Sequence, residues 1–268
     1  LLGVDPHFPI IDSLTLLTAI SMRTKKIKMG TGILVLPVRN PVLLAKQLSS
    51  MDQISGGRLL LGLASGWYKR EFDALGVPFN KRGNIMDQNL EIMTRLWQDD
   101  MVTAEIGPYN LRNSVMFPKP VKKAGPPILI GGYADRVLKR AASWDGWLTY
   151  FYTPEGFIKS WNKIIDFAEE AGKDPAELMN CNQVPIMVGE SCEEVLPQML
   201  EWLDAEWDFP SHSDCTRDSA IIGTVDDCVE QLQAHIDAGV QKLIFVPYKY
   251  EAEQVDIIAK EIIPRLRK

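Results

Sequence analysis

An α/β fold of parallel strands, best fitted by a (β/α)8 TIM barrel, is predicted by three observations. Short apolar runs alternate with amphipathic helical stretches along most of the chain. Several of these runs end in glycine just before a helix begins, as at Gly131-Gly132. The chain has 268 residues and is 46% hydrophobic, enough for one large core and ordinary for a barrel. We read residues 1–268 as a single domain.

The opening Leu1 to Ile11 contains Pro6 and Pro9 and reads as a loop. Asp12 or Ser13 is positioned to cap a helix to about Arg23, with Leu14, Leu17, Ile20 and Met22 on one face. A strand is expected at 27–36, then a helix from Pro41 through Leu44, Leu48 and Met51 to a stop at Gly56-Gly57. The second strand is 58–64. A short helix near 68–75 precedes a longer one, capped by Asn80, that buries Ile85, Leu90, Met93, Leu96 and Trp97. Over 101–127 the period is lost, which reads as an insertion with a candidate hairpin; its Met101, Tyr109, Met116 and Phe117 give it the apolar surface of a lid.

Alternation resumes with a strand at 128–131, a helix at 135–143, a strand at 146–151 and a helix at 154–172. A strand near 183–188, a helix from 191 to about 207 and a polar loop at 208–219 follow. The last predicted elements are a helix at 224–238, a strand at 242–246 and a helix at 251–266. These are six strands, whereas a barrel needs eight and six parallel strands would leave two exposed edges. We therefore expect an N-terminal β-α-β piece to be absent from this sequence; an open doubly wound sheet is the alternative.

A net charge of −6 and a pI near 5.2, without a basic block, argue against a nucleic-acid partner. Cys181, Cys192, Cys215 and Cys228 lack Cys-x-x-Cys spacing, which fits neither a zinc site nor a disulfide framework and suits reduced thiols in a cytoplasmic protein. No apolar run approaches a membrane span.

Gly131-Gly132-Tyr133-Ala134 passes from a strand into a helix, where free N–H groups suit a phosphate; a tight turn that needs glycine explains it equally well. Asp135 would cap that helix and compete with a phosphate. Arg82 and Arg136 are candidate counter-charges or solvated arginines, and Trp67 and Tyr68 are candidate walls for a planar cofactor or rim packing. Gly30, Thr31 and Gly32 are unusual inside a strand, calling for close approach of another group, either a flat ring or a neighbouring helix. His7, His212 and His235 are scattered, no metal or nucleophile motif appears, and Cys192 near a helix start is a candidate low-pKa thiol or a structural one. With no evident acid or base, a cofactor is expected to supply the reactivity.

In combination, Gly30-Thr-Gly-Ile-Leu-Val-Leu-Pro37, Asn40-Pro41, Met51 to Arg58 within Leu48 to Phe72, Arg82-Gly83, Leu96-Trp97, Pro126 to Gly132, Asp145-Gly146-Trp147, Gly223-Thr224 and Ala238-Gly239-Val240 resemble the bacterial luciferase-like family of flavin- and deazaflavin-dependent oxidoreductases. The resemblance implies a (β/α)8 barrel with an insertion, a homodimer, and reduced FMN at the mouth, with 8-hydroxy-5-deazaflavin (coenzyme F-420) as the alternative cofactor. It further implies a non-proline cis bond at Gly32–Ile33 behind the ring, with Ala64, Ser65 and Tyr68 beside the cofactor. Arg82, the N–H groups of Gly132 and Tyr133, and Arg136 would meet its phosphate, Gly131 is a further cofactor-binding residue, and a histidine would precede Leu1. The implied function is a monooxygenase using oxygen on a small organic substrate, supplied with electrons by a flavin reductase. A deazaflavin-dependent dehydrogenase or reductase and a non-catalytic subunit are the alternatives. Helices at 12–23 and 41–56, with Leu43, Leu44 and Leu48, are the expected dimer contacts, the alternative being that the same leucines face the barrel.

Overall fold

Helix α1 (Ser13–Arg23) starts where the Asp12 carboxylate accepts hydrogen bonds from the backbone N–H and the hydroxyl of Thr15, both at 3.0 Å. The structure, a computed structural model, describes residues 9–206 and 217–267. It comprises two units, one of Ile10–Gly131 and one chiefly of Gly132–Lys268, which are taken separately. His7, His212 and Cys215 lie outside the described residues.

In the first unit, β1 (Met29–Val35), α2 (Pro41–Ser55) and β2 (Leu59–Ala64) follow one another, each bounded by local signals in the chain. The Asn40 side chain accepts from the N–H groups of Val42 and Leu43, Pro41 opens α2, and Gly56 ends it at φ 69°. After α3 (Lys69–Ala74) and α4 (Arg82–Gln98), the hairpin β3 (Val102–Ile106) and β4 (Tyr109–Ser114) forms the expected insertion. Strand β5 (Ile128–Gly131) then pairs parallel to β2, which pairs parallel to β1.

The core of this unit is the buried face of α2 (Leu44, Leu48, Met51) and of α4 (Leu90, Met93, Leu96, Trp97). Each such side chain contributes about 1.5–3 kcal/mol by leaving water. Leu44 and Leu48 are therefore core residues, and only Leu43 of the three expected dimer contacts is exposed. Asn80 caps nothing: it sits in a 3-10 turn, and α4 begins at Arg82 without a side-chain cap.

Arg58 locks the entry to β2. Its five N–H donors reach Ser55 O (2.7 Å), Thr24 Oγ1 (3.0 Å), Ile27 O (2.7 Å), Ser21 O (2.9 Å) and Thr24 O (3.0 Å). The guanidinium thus satisfies carbonyls at the C-terminal end of α1 and ties them to the end of α2.

The segment 117–125 is fastened down. Lys46 donates to Phe117 O, Gln53 to Lys119 O (2.8 Å), and Lys119 to the carbonyls of Leu96 and Asp99. The Asp52 carboxylate accepts from Val121 N–H at 2.9 Å. That half of the insertion is a strap over α2 and α4, so a mobile lid of the whole 101–127 stretch does not fit these contacts.

In the second unit, β6 (Gly146–Tyr150), β7 (Met179–Val188), β8 (Ile221–Gly223) and β9 (Leu243–Pro247) alternate with α5 (Asp135–Ser143), α6 (Pro154–Glu170), α7 (Cys192–Glu206), α8 (Val225–Asp237) and α9 (Ala252–Ile257). Strand β7 is central: β6, β8 and β9 all pair parallel to it. Val184, Ile186 and Val188 pack on Ile221, Cys228, Leu232, Ile258 and Ile262.

Strand β7 begins four residues before the predicted 183, because the run Met179-Asn-Cys-Asn182 is paired with β6 and Asn180, Cys181 and Asn182 are buried. Asn180 exchanges hydrogen bonds with Gly239 O and Gln241 N–H, and Asn182 donates to Tyr152 O at 3.0 Å. Strand β8, only three residues long, was hidden next to the polar loop. The closing helix breaks into a π turn at 258–262 and a 3-10 turn at 263–265, where Pro264 cannot donate to a helix.

Seven parallel strands are present among the described residues, three in the first unit and four in the second. They form an α/β fold; a closed eight-stranded barrel is not completed among them. No described helix is long and apolar enough to cross a membrane.

Candidate functional site

The C-terminal ends of β1, β2 and β5 carry an apolar floor. Strands β1 and β2 keep register at Thr31 opposite Leu61 and again at Leu34 opposite Leu63, so Gly32 and Ile33 together face Gly62 alone. This bulge turns Ile33 outward, 39% exposed. The Gly32–Ile33 bond is cis, at the position the resemblance implies. A Cβ on Gly131 would stand 2.9 Å from Ile33 Cδ1 and 3.5 Å from Ala64 Cβ. The structure thereby brings Gly32, Ile33, Ala64 and Gly131 together.

Gly30 has another explanation. A Cβ there would come within 2.8 Å of Leu60 O, so approach of the neighbouring strand requires glycine, without a ring or a helix.

Beyond β2, Ser65 and Gly66 are partly buried, Trp67 is exposed and Tyr68 precedes α3, its ring 5.5 Å from that of Trp67. Arg82 donates from Nε to Gly66 O and from a terminal nitrogen to Phe79 O, each at 3.0 Å, and stacks 4.0 Å from the Phe79 ring centroid. These bonds fix the loop after β2 from the start of α4. Arg82 is thus a loop organiser in the first instance, which the sequence, read for counter-charge, did not show.

In the second unit, Gly132 and Tyr133 lead to α5, and Trp147 Nε1 donates to Gly132 O at 2.7 Å. Ala134, without a side-chain hydrogen bond, is the N-cap; Asp135 is the first helical residue and pairs with Lys163 at 2.8 Å. The expected Asp135 cap is therefore not formed, and its charge is offset by the lysine. Arg136 is exposed one residue further on.

Cys192 does not have a lowered pKa: burial, then the Asp227 and Glu193 carboxylates, push its thiol up. Burial pushes Cys228 up to about 12. His235 is buried in α8 and burial lowers its pKa to about 4, so it is neutral near pH 7 and remote from base chemistry. No group of three or more metal-ligating side chains occurs among the described residues. Among the described residues, the side chains brought together at the ends of β1, β2 and β5 form an apolar floor.

An uncharacterised protein of Mycobacterium tuberculosis is 33% identical over 165 residues, covering 62% of this chain and 57% of that protein. The match therefore spans little more than half the length of this relative. The FMNH(2)-dependent dimethylsulfone monooxygenase of Pseudomonas putida is 24% identical, over 96% of this chain and 78% of its own. The F-420-dependent glucose-6-phosphate dehydrogenase of Rhodococcus erythropolis is also 24% identical, over 97% and 84%. Among solved structures, an F-420-dependent secondary alcohol dehydrogenase superposes with a TM-score of 0.84 at 18% identity, over 99% of this chain and 87% of that one, a likeness of fold. The description of luciferase-like monooxygenases matches residues 3–242, and the chain belongs to that family.

Proposed function

We propose that the chain is a luciferase-like oxidoreductase that lays a reduced flavin against Ile33, Ala64 and Gly131, and that it works as an FMN-dependent monooxygenase on a small organic substrate. The observation that carries this reading is the floor itself. An exposed isoleucine whose side-chain end lies over a glycine and beside Ala64 is an apolar seat suited to a planar ring. The residues present thus fit the cofactor that the family uses.

When bound, reduced flavin supplies the electrons that the protein's own side chains do not. Ile33 and Ala64 contact its ring and exclude water from that face. Ser65 and Tyr68 border it, and Arg82 holds the loop that carries them. Taken by itself, the second unit offers a phosphate-holding element of its own in the Gly132-Tyr133 turn, the N-terminus of α5 and Arg136. Trp147 fixes the Gly132 carbonyl and so aims the following N–H groups. A (β/α)8 barrel, a homodimer built on α1 and α2, a flavin reductase as electron source and a cytoplasmic location belong to the same proposal.

A second reading, dehydrogenase or reductase chemistry with coenzyme F-420, is favoured by the Rhodococcus relative, which matches over as much of the chain as the FMNH(2)-dependent one. Mass spectrometry of the cofactor released from the purified protein, together with oxygen uptake on adding reduced FMN, separates the two. FMN with substrate-dependent oxygen uptake supports the monooxygenase; a deazaflavin without oxygen uptake supports the dehydrogenase.

A further inference from the structure

We propose that the turn between α1 and β1, residues 23–28, is a docking surface for an acidic patch on a partner protein. Arg23, Lys25, Lys26 and Lys28 are exposed, and none of the four forms a side-chain hydrogen bond or an ion pair among the described residues. Ile27 stands in their midst, 61% exposed. This surface requires nothing of the flavin-binding reading.

Charge is divided unevenly along the chain. From Ser13 to Arg58 there are seven lysines and arginines and one acidic residue, Asp52, which is buried and accepts from Val121 N–H at 2.9 Å. The segment is thus +6, and the other residues together carry −12 to leave the net −6. Three of the seven cations are engaged: Arg39 with Asp12 at 3.7 Å, Lys46 with Phe117 O, and Arg58 with the turn itself. The four that remain lie within six residues, and their mutual repulsion is relieved only by counter-ions or by a partner's carboxylates.

The backbone that carries them is held from behind. Arg58 donates to Ser21 O, Thr24 O, Thr24 Oγ1 and Ile27 O, at 2.7–3.0 Å. Its half-buried guanidinium adds positive charge beneath the turn. A surface fixed in this way gives up little freedom when a partner docks.

Cations around an exposed isoleucine complement carboxylates around an apolar side chain, the arrangement of a small protein interface with an apolar centre and a polar rim. A bilayer or a duplex presents negative charge over a wide area, and the −12 of the remaining residues opposes such an approach. An acidic patch of matching size meets the turn alone. Lys28 precedes the first residue of β1, whereas Ile33 lies toward the other end of that strand, so a docked partner leaves the apolar floor uncovered.

The test uses the whole chain, with poly-L-glutamate and a glutamate–tyrosine copolymer as probes, beside phosphatidylserine vesicles and duplex DNA. Both polypeptides should bind, the copolymer more tightly because tyrosine covers Ile27, and affinity should fall by about tenfold between roughly 20 and 200 mM salt. The triple variant Lys25→Glu, Lys26→Glu, Lys28→Glu should weaken both by about tenfold, and Ile27→Ser should remove the copolymer's advantage. Reversal of another exposed pair, Lys122→Glu with Lys123→Glu, should stay within about twofold. Should the glutamate triple variant fail to fold, Lys25→Gln, Lys26→Gln, Lys28→Gln takes its place and should weaken binding by about fivefold. Unchanged affinity in the folded triple variant, or an equal loss in the Lys122 and Lys123 variant, overturns the proposal. Tighter binding of the vesicles or the duplex than of the polypeptides overturns it as well, as does binding of no probe.

Discussion

Ile33 fills the space that a side chain on residue 131 would need: its Cδ1 lies 2.9 Å, and its Cγ2 3.2 Å, from where a Gly131 Cβ would stand. The obstruction is the flexible end of an exposed side chain, so an added methyl displaces Ile33 more readily than it strains the backbone. Gly131→Ala should therefore cost only about 1–2 kcal/mol of stability while weakening reduced-flavin binding by about tenfold. Urea denaturation and a fluorescence titration measure the two quantities on one preparation. Unchanged affinity would remove Gly131 from the floor.

Arg58 spends all five donors on carbonyls and a hydroxyl from α1, α2 and the entry to β1. Removing it strands several partly buried acceptors at once, so Arg58→Ala should lower the unfolding free energy by about 3 kcal/mol. Lysine has a charge but no planar fork, so Arg58→Lys should recover less than half of the loss. The shift in urea midpoint at constant slope is the readout, and near-equality of lysine and arginine would show that charge alone matters.

Much of this architecture was legible because the chain states it locally. Asn40-Pro41 before α2, Gly56 after it and Thr224 before α8 are caps, and each helix starts or stops where its cap stands. The start of β7 was not legible, because Asn180 and Asn182 read as loop residues until Gly239, Gln241 and Tyr152 are seen to pair with them. Strand β8 is too short to show a period. At the site, the glycines of β1 marked an unusual strand, but the reason for Gly30 lies in the approach of Leu60, a residue thirty positions away. The bonds of Arg82 were hidden from the sequence for the same reason: its partners, Gly66 and Phe79, are set by the tertiary fold.

His235 gives stability a pH dependence of known sign. Its folded pKa is about 4 against an ordinary 6.5, chiefly from burial, so the unfolded chain binds a proton there that the folded one refuses. Above pH 6.5 both states are neutral and the residue contributes nothing to the slope. Stability should fall as pH drops from about 6.5 to about 4, by at most roughly 3 kcal/mol from this one group. His235→Gln should flatten that part of the curve in thermal unfolding followed by circular dichroism. An unaltered slope would place the pH dependence on other groups.

Leu43 and Ile54 on α2 and Leu16 and Met22 on α1 are exposed, while Leu44 and Leu48 of α2 are buried. A dimer built on this surface predicts that Leu43→Lys halves the mass in light scattering with little loss of fold, whereas Leu48→Lys unfolds the chain, since a buried unpaired ammonium has no compensation. A wild-type mass with Leu43→Lys would rule this surface out.

The central claim is that a reduced flavin or deazaflavin rests on the ends of β1, β2 and β5. Anaerobic titration of the protein with reduced FMN and, separately, with the reduced deazaflavin, read by fluorescence, tests it most directly. The account predicts micromolar binding of one of the two and its weakening by Gly131→Ala. Binding of neither would contradict the account and leave a non-catalytic subunit of the same family as the reading of this chain.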